Sequence, residues 1–205
     1  MSTATITPPP IAPAAPTTPA TPAARMTAEE FGLKYSGQHV EYVDGQVKEV
    51  PMPGGKHGRA CYKFTLALGN FIEANDLGYV FTNDTFVKVP TRDDPDRVYG
   101  PDVCFVRYDR LAKDAEVPTG VLTVVPNLVV EVRSPSDTWG DVFSKLGDYL
   151  NAGVPVVVVI DFGTQTASAY RSDPANPQEI FRATDTLALP DVLPNFAVPV
   201  AGLFA

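Results

Sequence analysis

The chain has 205 residues, of which 24 are Asp or Glu and 16 are Lys or Arg, giving a formal charge of −8 at pH 7. That balance excludes a histone-like or polybasic nucleic-acid binder, because no broad positive field is present to attract phosphate. Any nucleic-acid function has to rest on a local site. No apolar run approaches the length of about 18 residues that a membrane-spanning helix requires.

Residues 1–25 hold seven of the 21 prolines and a single charge, Arg25. The stretch lacks the basic and apolar regions of a secretory signal, and its Pro/Ala/Thr composition predicts a disordered, partly polyproline tail. The expected domain is therefore 26–205, which carries 15 basic and 24 acidic side chains and a charge of −9. Its length suits one hydrophobic core. The two cysteines, Cys61 and Cys104, fall in an expected amphipathic helix and an expected buried strand. The reading is two reduced core thiols in a cytoplasmic protein, with no Cys/His grouping that suggests zinc.

Thr27-Ala-Glu-Glu30 is a capping-box pattern that opens a short helix. His39 to Val50 reads as a hairpin turned at Asp44-Gly45, with Val40 and Tyr42 on one face of the first strand and Glu41 and Val43 on the other. A helix is expected from Arg59 to Asn75, with Cys61, Phe64, Leu68, Phe71 and Ile72 forming its apolar stripe. Tyr79 to Val89, Asp102 to Val106 and Leu128 to Val132 read as strands, and the polar segment 91–100 as a loop whose Asp93, Asp94 and Asp96 are solvated. Thr138-x-x-Asp141 caps a helix ending near Ala152, with Gly153 beyond it. The uniformly apolar Pro155–Asp161 predicts a strand covered on both faces, and a last hairpin joins 167–171 to 179–182. The fold class is α/β (α+β), a mixed central β-sheet flanked by helices with an N-terminal β-hairpin.

Glu131 is out of character for its strand, since an ionised carboxylate among Leu128, Val129, Val130 and Val132 costs several kcal/mol unless it is paired or bound to a cation. Asp102 stands after Pro101 at the start of another apolar strand, and Glu41 is a third strand-borne acid. Should the three converge, they would make a hard-oxygen site for Mg²⁺ or Mn²⁺. Lys145, at the edge of the buried stripe formed by Val142, Leu146, Tyr149 and Leu150, can snorkel toward the neighbouring strand, with Asp141 and Asp148 at i−4 and i+3. Arg133 rivals it as the cation, two residues from Glu131 on the same strand face. Taken singly, each has an ordinary structural reading. Glu41 would face solvent, Asp102 would be turn chemistry, Lys145 and His57 would be surface helix residues, and Glu131 would be a buried ion pair with Arg133 or Lys145.

Pro101-Asp102 followed by Glu131-Val-Arg133 resembles the PD-(D/E)xK nuclease superfamily, with arginine in the lysine position. A longer ordered set resembles the Uma-type restriction endonuclease family: Val40-Glu-Tyr-Val-Asp-Gly45, His57, Pro101-Asp-Val103, Val129–Ser136, Lys145–Val154, Val159-Ile-Asp161 and Leu193-Pro-Asn-Phe196. The resemblance spans Met26 to Ala205. It implies a restriction-endonuclease-like core and a Mg²⁺- or Mn²⁺-dependent endonuclease acting on DNA. Glu41, Asp102 and Glu131 would be the metal-binding acids. Lys145 would be the catalytic cation, in preference to Arg133, and His57 a phosphate contact or proton-transfer group. Many members of the superfamily work as dimers, so a homodimer is compatible with it; no membrane association is expected. The main rival reading is a nuclease-like fold that binds nucleic acid or protein without cutting, motivated by the charge of −9 and by Arg133. A metal-free hydrolase using two carboxylates is a third.

Overall fold

In this computed structural model, residues 25–82 and 85–205 are described; the tail expected over 1–25 therefore lies, but for Arg25, outside them. In chain order they form α1 (Ala28–Tyr35), β1 (Val40–Val43), β2 (Gln46–Glu49), α2 (Gly55–Asn75), β3 (Gly78–Thr82), β4 (Val87–Lys88), β5 (Val98–Tyr99) and β6 (Val103–Arg107). They continue through β7 (Leu128–Arg133), α3 (Trp139–Asn151), β8 (Val156–Asp161), β9 (Thr166–Tyr170), β10 (Glu179–Arg182), β11 (Thr186–Leu189), β12 (Leu193–Pro199) and α4 (Ala201–Phe204). No described helix is long and apolar enough to cross a membrane.

Local chemistry accounts for most boundaries. The Thr27 hydroxyl accepts from the Glu30 N–H and the Glu30 carboxylate accepts from the Thr27 N–H, so the capping box at α1 is complete. Asp44 and Gly45 both have positive φ, 55° and 76°, as a two-residue type I′ hairpin turn requires. Thr138 caps α3 by accepting from the Asp141 N–H, and Gly153, at φ 95°, follows the last turn. Helix α2 begins four residues earlier than its apolar stripe predicts, because its first turn is carried by glycines and His57 rather than by large apolar residues.

The six-stranded sheet runs β10-β9-β8-β7-β6-β3, mixed in direction, with β7 and β8 its parallel pair and α3 the crossover between them. All six residues of β8 are buried, in keeping with a strand covered on both faces. The alternation along β7 sorts the core. Leu128, Val130 and Val132 pack with Phe64, Leu68 and Ile72 of α2, while Val129 packs with Leu146 and Tyr149 of α3. Glu131 and Arg133 share Val129's parity and so belong to the α3 side.

A separate four-stranded sheet, β2-β1-β5-β4, holds the N-terminal hairpin. Val40 and Tyr42 pack with Phe31 of α1 and with Phe86, whereas Val43 packs with the α3 cluster, so Glu41 on Val43's side of β1 also faces α3. This sheet corrects two expectations. The single strand expected over 79–89 is two, β3 and β4, in different sheets, and the loop expected over 91–100 contains β5. Nor is Asp94 solvated: it is 1% exposed, accepts from the Asp44 N–H at 2.6 Å and pairs with Arg97. The Asp44 N–H comes from 50 residues away, so the local run of aspartates carried no sign of it.

Candidate functional site

A cleft of about 410 Å³ opens where the two sheets and the N-terminal ends of α2 and α3 meet, and it is lined by Glu41, His57, Asp102, Glu131, Arg133 and Lys145 among others. Six carboxylates line it (these three with Glu49, Asp137 and Asp141) against the three fixed cations Lys48, Arg133 and Lys145. A second cavity of about 870 Å³, bordered by Trp139, Phe143 and β9–β10, is larger but contains no lining carboxylate or histidine. The convergent chemistry lies in the smaller one.

Its centre is Lys145. The Nζ stands 2.7 Å from Glu41 Oε1 and 3.1 Å from Glu131 Oε1, and 5.1 Å from the centroid of the Tyr99 ring. Glu131 Oε1 also accepts from the Tyr149 hydroxyl at 2.8 Å. Lys145 and Tyr149 are four residues apart and so project from one face of α3. Three elements distant in sequence thus supply one part-buried acid–lysine–acid bridge. The Asp141 and Asp148 partners expected from helical spacing are engaged elsewhere: Asp141 with Thr138, Asp148 with Arg97 and Tyr99.

Asp102, just ahead of β6, joins the same wall of the cleft. Its Oδ2 accepts from the Val132 N–H at 2.7 Å and lies 3.1 Å from His57 Nε2. The other ring nitrogen of His57 is 3.5 Å from Cys61 Sγ. Ligand atoms of His57, Cys61 and Asp102 all lie within 4.8 Å of one another, which overturns the reading that the cysteines have no Cys/His neighbour. The two sit at i and i+4 on one face of α2, a spacing visible in the sequence; the third member comes from 41 residues away, which was not.

Arg133 is not part of the lysine bridge. Its guanidinium pairs with Asp161 at 3.2 Å, donates to the Asp137 carbonyl and stacks over the Trp139 ring at 4.7 Å. Its Nε is buried without a hydrogen-bond partner among the described residues.

The electrostatics follow from this crowding. Burial pushes the Glu131 carboxyl up to about 7; the Lys145 ammonium pulls the other way, and Asp102 and Glu41 add to the rise. The Lys145 ammonium is held protonated well above its ordinary range, because the pull of Glu131 and Glu41 exceeds the penalty of burial. For His57 burial favours the neutral ring, but the hydrogen bond and charge of Asp102, with Glu131 and Asp137 behind it, outweigh burial and raise its pKa. Burial and the same acids push the Cys61 thiol far up, and burial takes Cys104 to about 12.

A pH dependence follows for the metal-free protein. Glu131 titrates near 7 folded and near 4.5 unfolded, so the folded state binds the extra proton between those values. Its contribution is complete below about pH 4.5 and lost as pH rises through about 7, at most about 3 kcal/mol. Urea unfolding from pH 4.5 to 8 checks this: Glu131→Gln should flatten that part of the profile, and an unchanged slope would locate the titration elsewhere.

The family model described as "Uma2: Putative restriction endonuclease" matches residues 28–201. A crystal structure of a protein described as a putative nuclease belonging to DUF820, from Anabaena variabilis, superposes with a TM-score of 0.71 at 21% identity, covering 87% of this chain and 97% of that one. That likeness shows a shared fold, the mixed sheet with its flanking helices. Among curated proteins nothing matches.

Proposed function

We propose, from the premise that this chain belongs to the Uma2 family of restriction-endonuclease-like proteins, that it is a metal-dependent endonuclease hydrolysing DNA phosphodiester bonds. The observation that carries the reading is the meeting of Glu41, Glu131 and Lys145 from three separate elements at one wall of a cleft that Asp102 also lines. The donor set suits a hard divalent ion. Carboxylate oxygens predominate, and burial, seconded by Asp102 and Glu41, raises the Glu131 carboxyl, a cost that a bound dication would relieve.

Asp102 and Glu131 would hold Mg²⁺ or Mn²⁺, with Glu41 supporting. When bound, such an ion neutralises phosphate charge and makes water a better nucleophile. Lys145 would stabilise the negative charge that develops on the phosphoryl oxygens. Tyr149 holds one oxygen of Glu131 and so fixes its orientation. His57, carried at the cleft wall against Asp102, would contact a phosphate oxygen or pass a proton to the leaving group. Arg133, tied to Asp161 and stacked on Trp139, would bind a neighbouring phosphate rather than the scissile one, the role that suits a fixed guanidinium.

The test is cleavage of single- and double-stranded DNA and RNA with Mg²⁺ or Mn²⁺. Wild type should cut DNA, EDTA should abolish cutting, and Glu131→Gln should lower the rate by about 10²-fold or more. Wild type and variant equally inert on every substrate would sink the reading. One observation favours the rival, a non-cleaving binding module: Lys145 pairs with both Glu41 and Glu131 without a metal. Calorimetric titration separates the two, since the rival expects no divalent binding that Glu131→Gln removes.

A further inference from the structure

We propose that His57, Cys61 and Asp102 form a binding site for a thiophilic divalent transition-metal ion, Zn²⁺ being its natural representative, with a fourth position open to the cleft. This site holds whether or not the chain cuts DNA, because its donors differ from the all-oxygen set of Glu41, Asp102 and Glu131 and share only Asp102 with it.

The donors are one imidazole nitrogen, one thiol sulfur and one carboxylate oxygen, the mixture that suits zinc and its borderline neighbours and that Mg²⁺ does not use. Zn–N distances of about 2.0–2.1 Å and a Zn–S distance of about 2.3 Å make the edges of a tetrahedron roughly 3.3–3.8 Å. Cys61 Sγ stands 3.5 Å from His57 Nδ1 and Asp102 Oδ2 stands 3.1 Å from the opposite ring nitrogen, Nε2, while one donor atom from each residue lies within 4.8 Å of the other two. Binding an ion requires one ring nitrogen to turn toward both other donors and the three to draw together from within 4.8 Å to tetrahedral edges.

The supports are rigid. His57 and Cys61 are spaced i, i+4 on α2, the arrangement by which helices present two ligands to one ion, and Cys61 belongs to the same packed cluster as Phe64 and Val132. Asp102 is held from the other side by the Val132 N–H. His57 and Asp102 line the cleft, whereas Cys61 is 5% exposed and does not. An ion there would be anchored from behind by sulfur and would face the cleft with an exchangeable position, the pattern of zinc sites that act on a ligand rather than only staple a fold.

The same three residues could be taken for a nucleophilic Cys-His-Asp chain, with sulfur and carboxylate on opposite ring nitrogens. Cys61 excludes that role, because a thiol behind the cleft wall cannot reach a substrate held in it.

The experiment uses the full chain, freed of metal by chelation and dialysis, and Co²⁺ as a spectroscopic stand-in for Zn²⁺. The expected result is one equivalent of Co²⁺ giving a sulfur-to-cobalt charge-transfer band in the near ultraviolet together with the intense visible bands of a four-coordinate ion. Zn²⁺ should displace it and a large excess of Mg²⁺ should not. Cys61→Ser should remove the charge-transfer band and weaken Zn²⁺ binding about tenfold or more, with His57→Gln weakening it similarly. Cys104→Ser should change neither. Wild-type protein that binds Co²⁺ without the sulfur band, or not at all, overturns the proposal without recourse to any variant. So does a band that survives Cys61→Ser and disappears in Cys104→Ser. Wild-type protein that shows the band but cuts no DNA with Mg²⁺ or Mn²⁺ would defeat the nuclease reading alone.

Discussion

Lys145→Met is expected to lower metal-dependent cleavage by about 10²–10³-fold while leaving Mg²⁺ or Mn²⁺ binding intact or tighter. The reasoning starts from the bridge: one ammonium stands 2.7 Å from Glu41 and 3.1 Å from Glu131, so in the metal-free protein it is the counter-ion of both acids. Removing it takes away the group proposed to meet the developing phosphoryl charge and, in the same change, a competitor for the metal's ligands. Without metal the variant leaves two acids with no cation between them and should lose about 3–5 kcal/mol of stability, partly restored when a divalent ion is added. Glu131→Gln separates the roles, since it should lose metal binding and cleavage together. Single-turnover cleavage, calorimetric Mn²⁺ titration and urea unfolding with and without Mg²⁺ check these outcomes. A Lys145→Met protein that cuts at the wild-type rate would move the catalytic cation to Arg133, and Arg133→Met is the comparison.

Arg97→Met should be the most damaging single change outside the cleft, costing about 3–5 kcal/mol. The Arg97 side chain is 10% exposed and donates to three carboxylates: Asp44 at 2.6 Å, Asp94 at 3.2 Å and Asp148. Asp94 is 1% exposed, so losing the guanidinium leaves its buried charge with only the Asp44 N–H and, at 3.9 Å, the half-exposed Arg25 to balance it. The consequence extends to the site. Asp44 turns the hairpin that carries Glu41, and Asp148 lies one turn beyond Lys145 on α3, so Arg97 ties together the elements that bring those two side chains into contact. Weaker divalent binding in Arg97→Met than in a variant of equal stability loss, such as a core Leu68→Ala, would mark this as positioning. Equal binding in the two would reduce Arg97 to a stabilising residue. Arg97→Lys keeps the charge but not the fork of donors, and should recover only part of the loss.

How much of this was legible before folding depended on the range of the signal. Caps, the Asp44-Gly45 turn, the α2 stripe and the apolar β8 are written in residues a few positions apart, and each appears in the structure. Glu131 announced itself because its neighbours demanded burial. Its actual partner could not be chosen from spacing. Arg133 is the nearer cation in sequence, yet Asp161 at the end of the parallel neighbour β8 claims it and leaves Glu131 to Lys145. Tyr149 was read only as part of a buried stripe, although its place one turn from Lys145 put a hydroxyl on the same face. The Arg97 network was invisible for a different reason. Asp44, the 94–97 segment and Asp148 lie in three separate pieces of chain, and a run of aspartates near an arginine is far more often a wet loop.

The two sheets share a junction, and its position matters. The chain leaves the four-stranded sheet at Tyr99 and enters the six-stranded one at Val103, so Gly100-Pro101-Asp102 is one of two short covalent steps between them, the other running from Thr82 to Val87. Glu41 rides on the smaller sheet and Glu131 on the larger, while Asp102 sits in a step between them. Because Lys145 grips an acid of each, the bridge is also a tie that holds the two sheets together across the cleft.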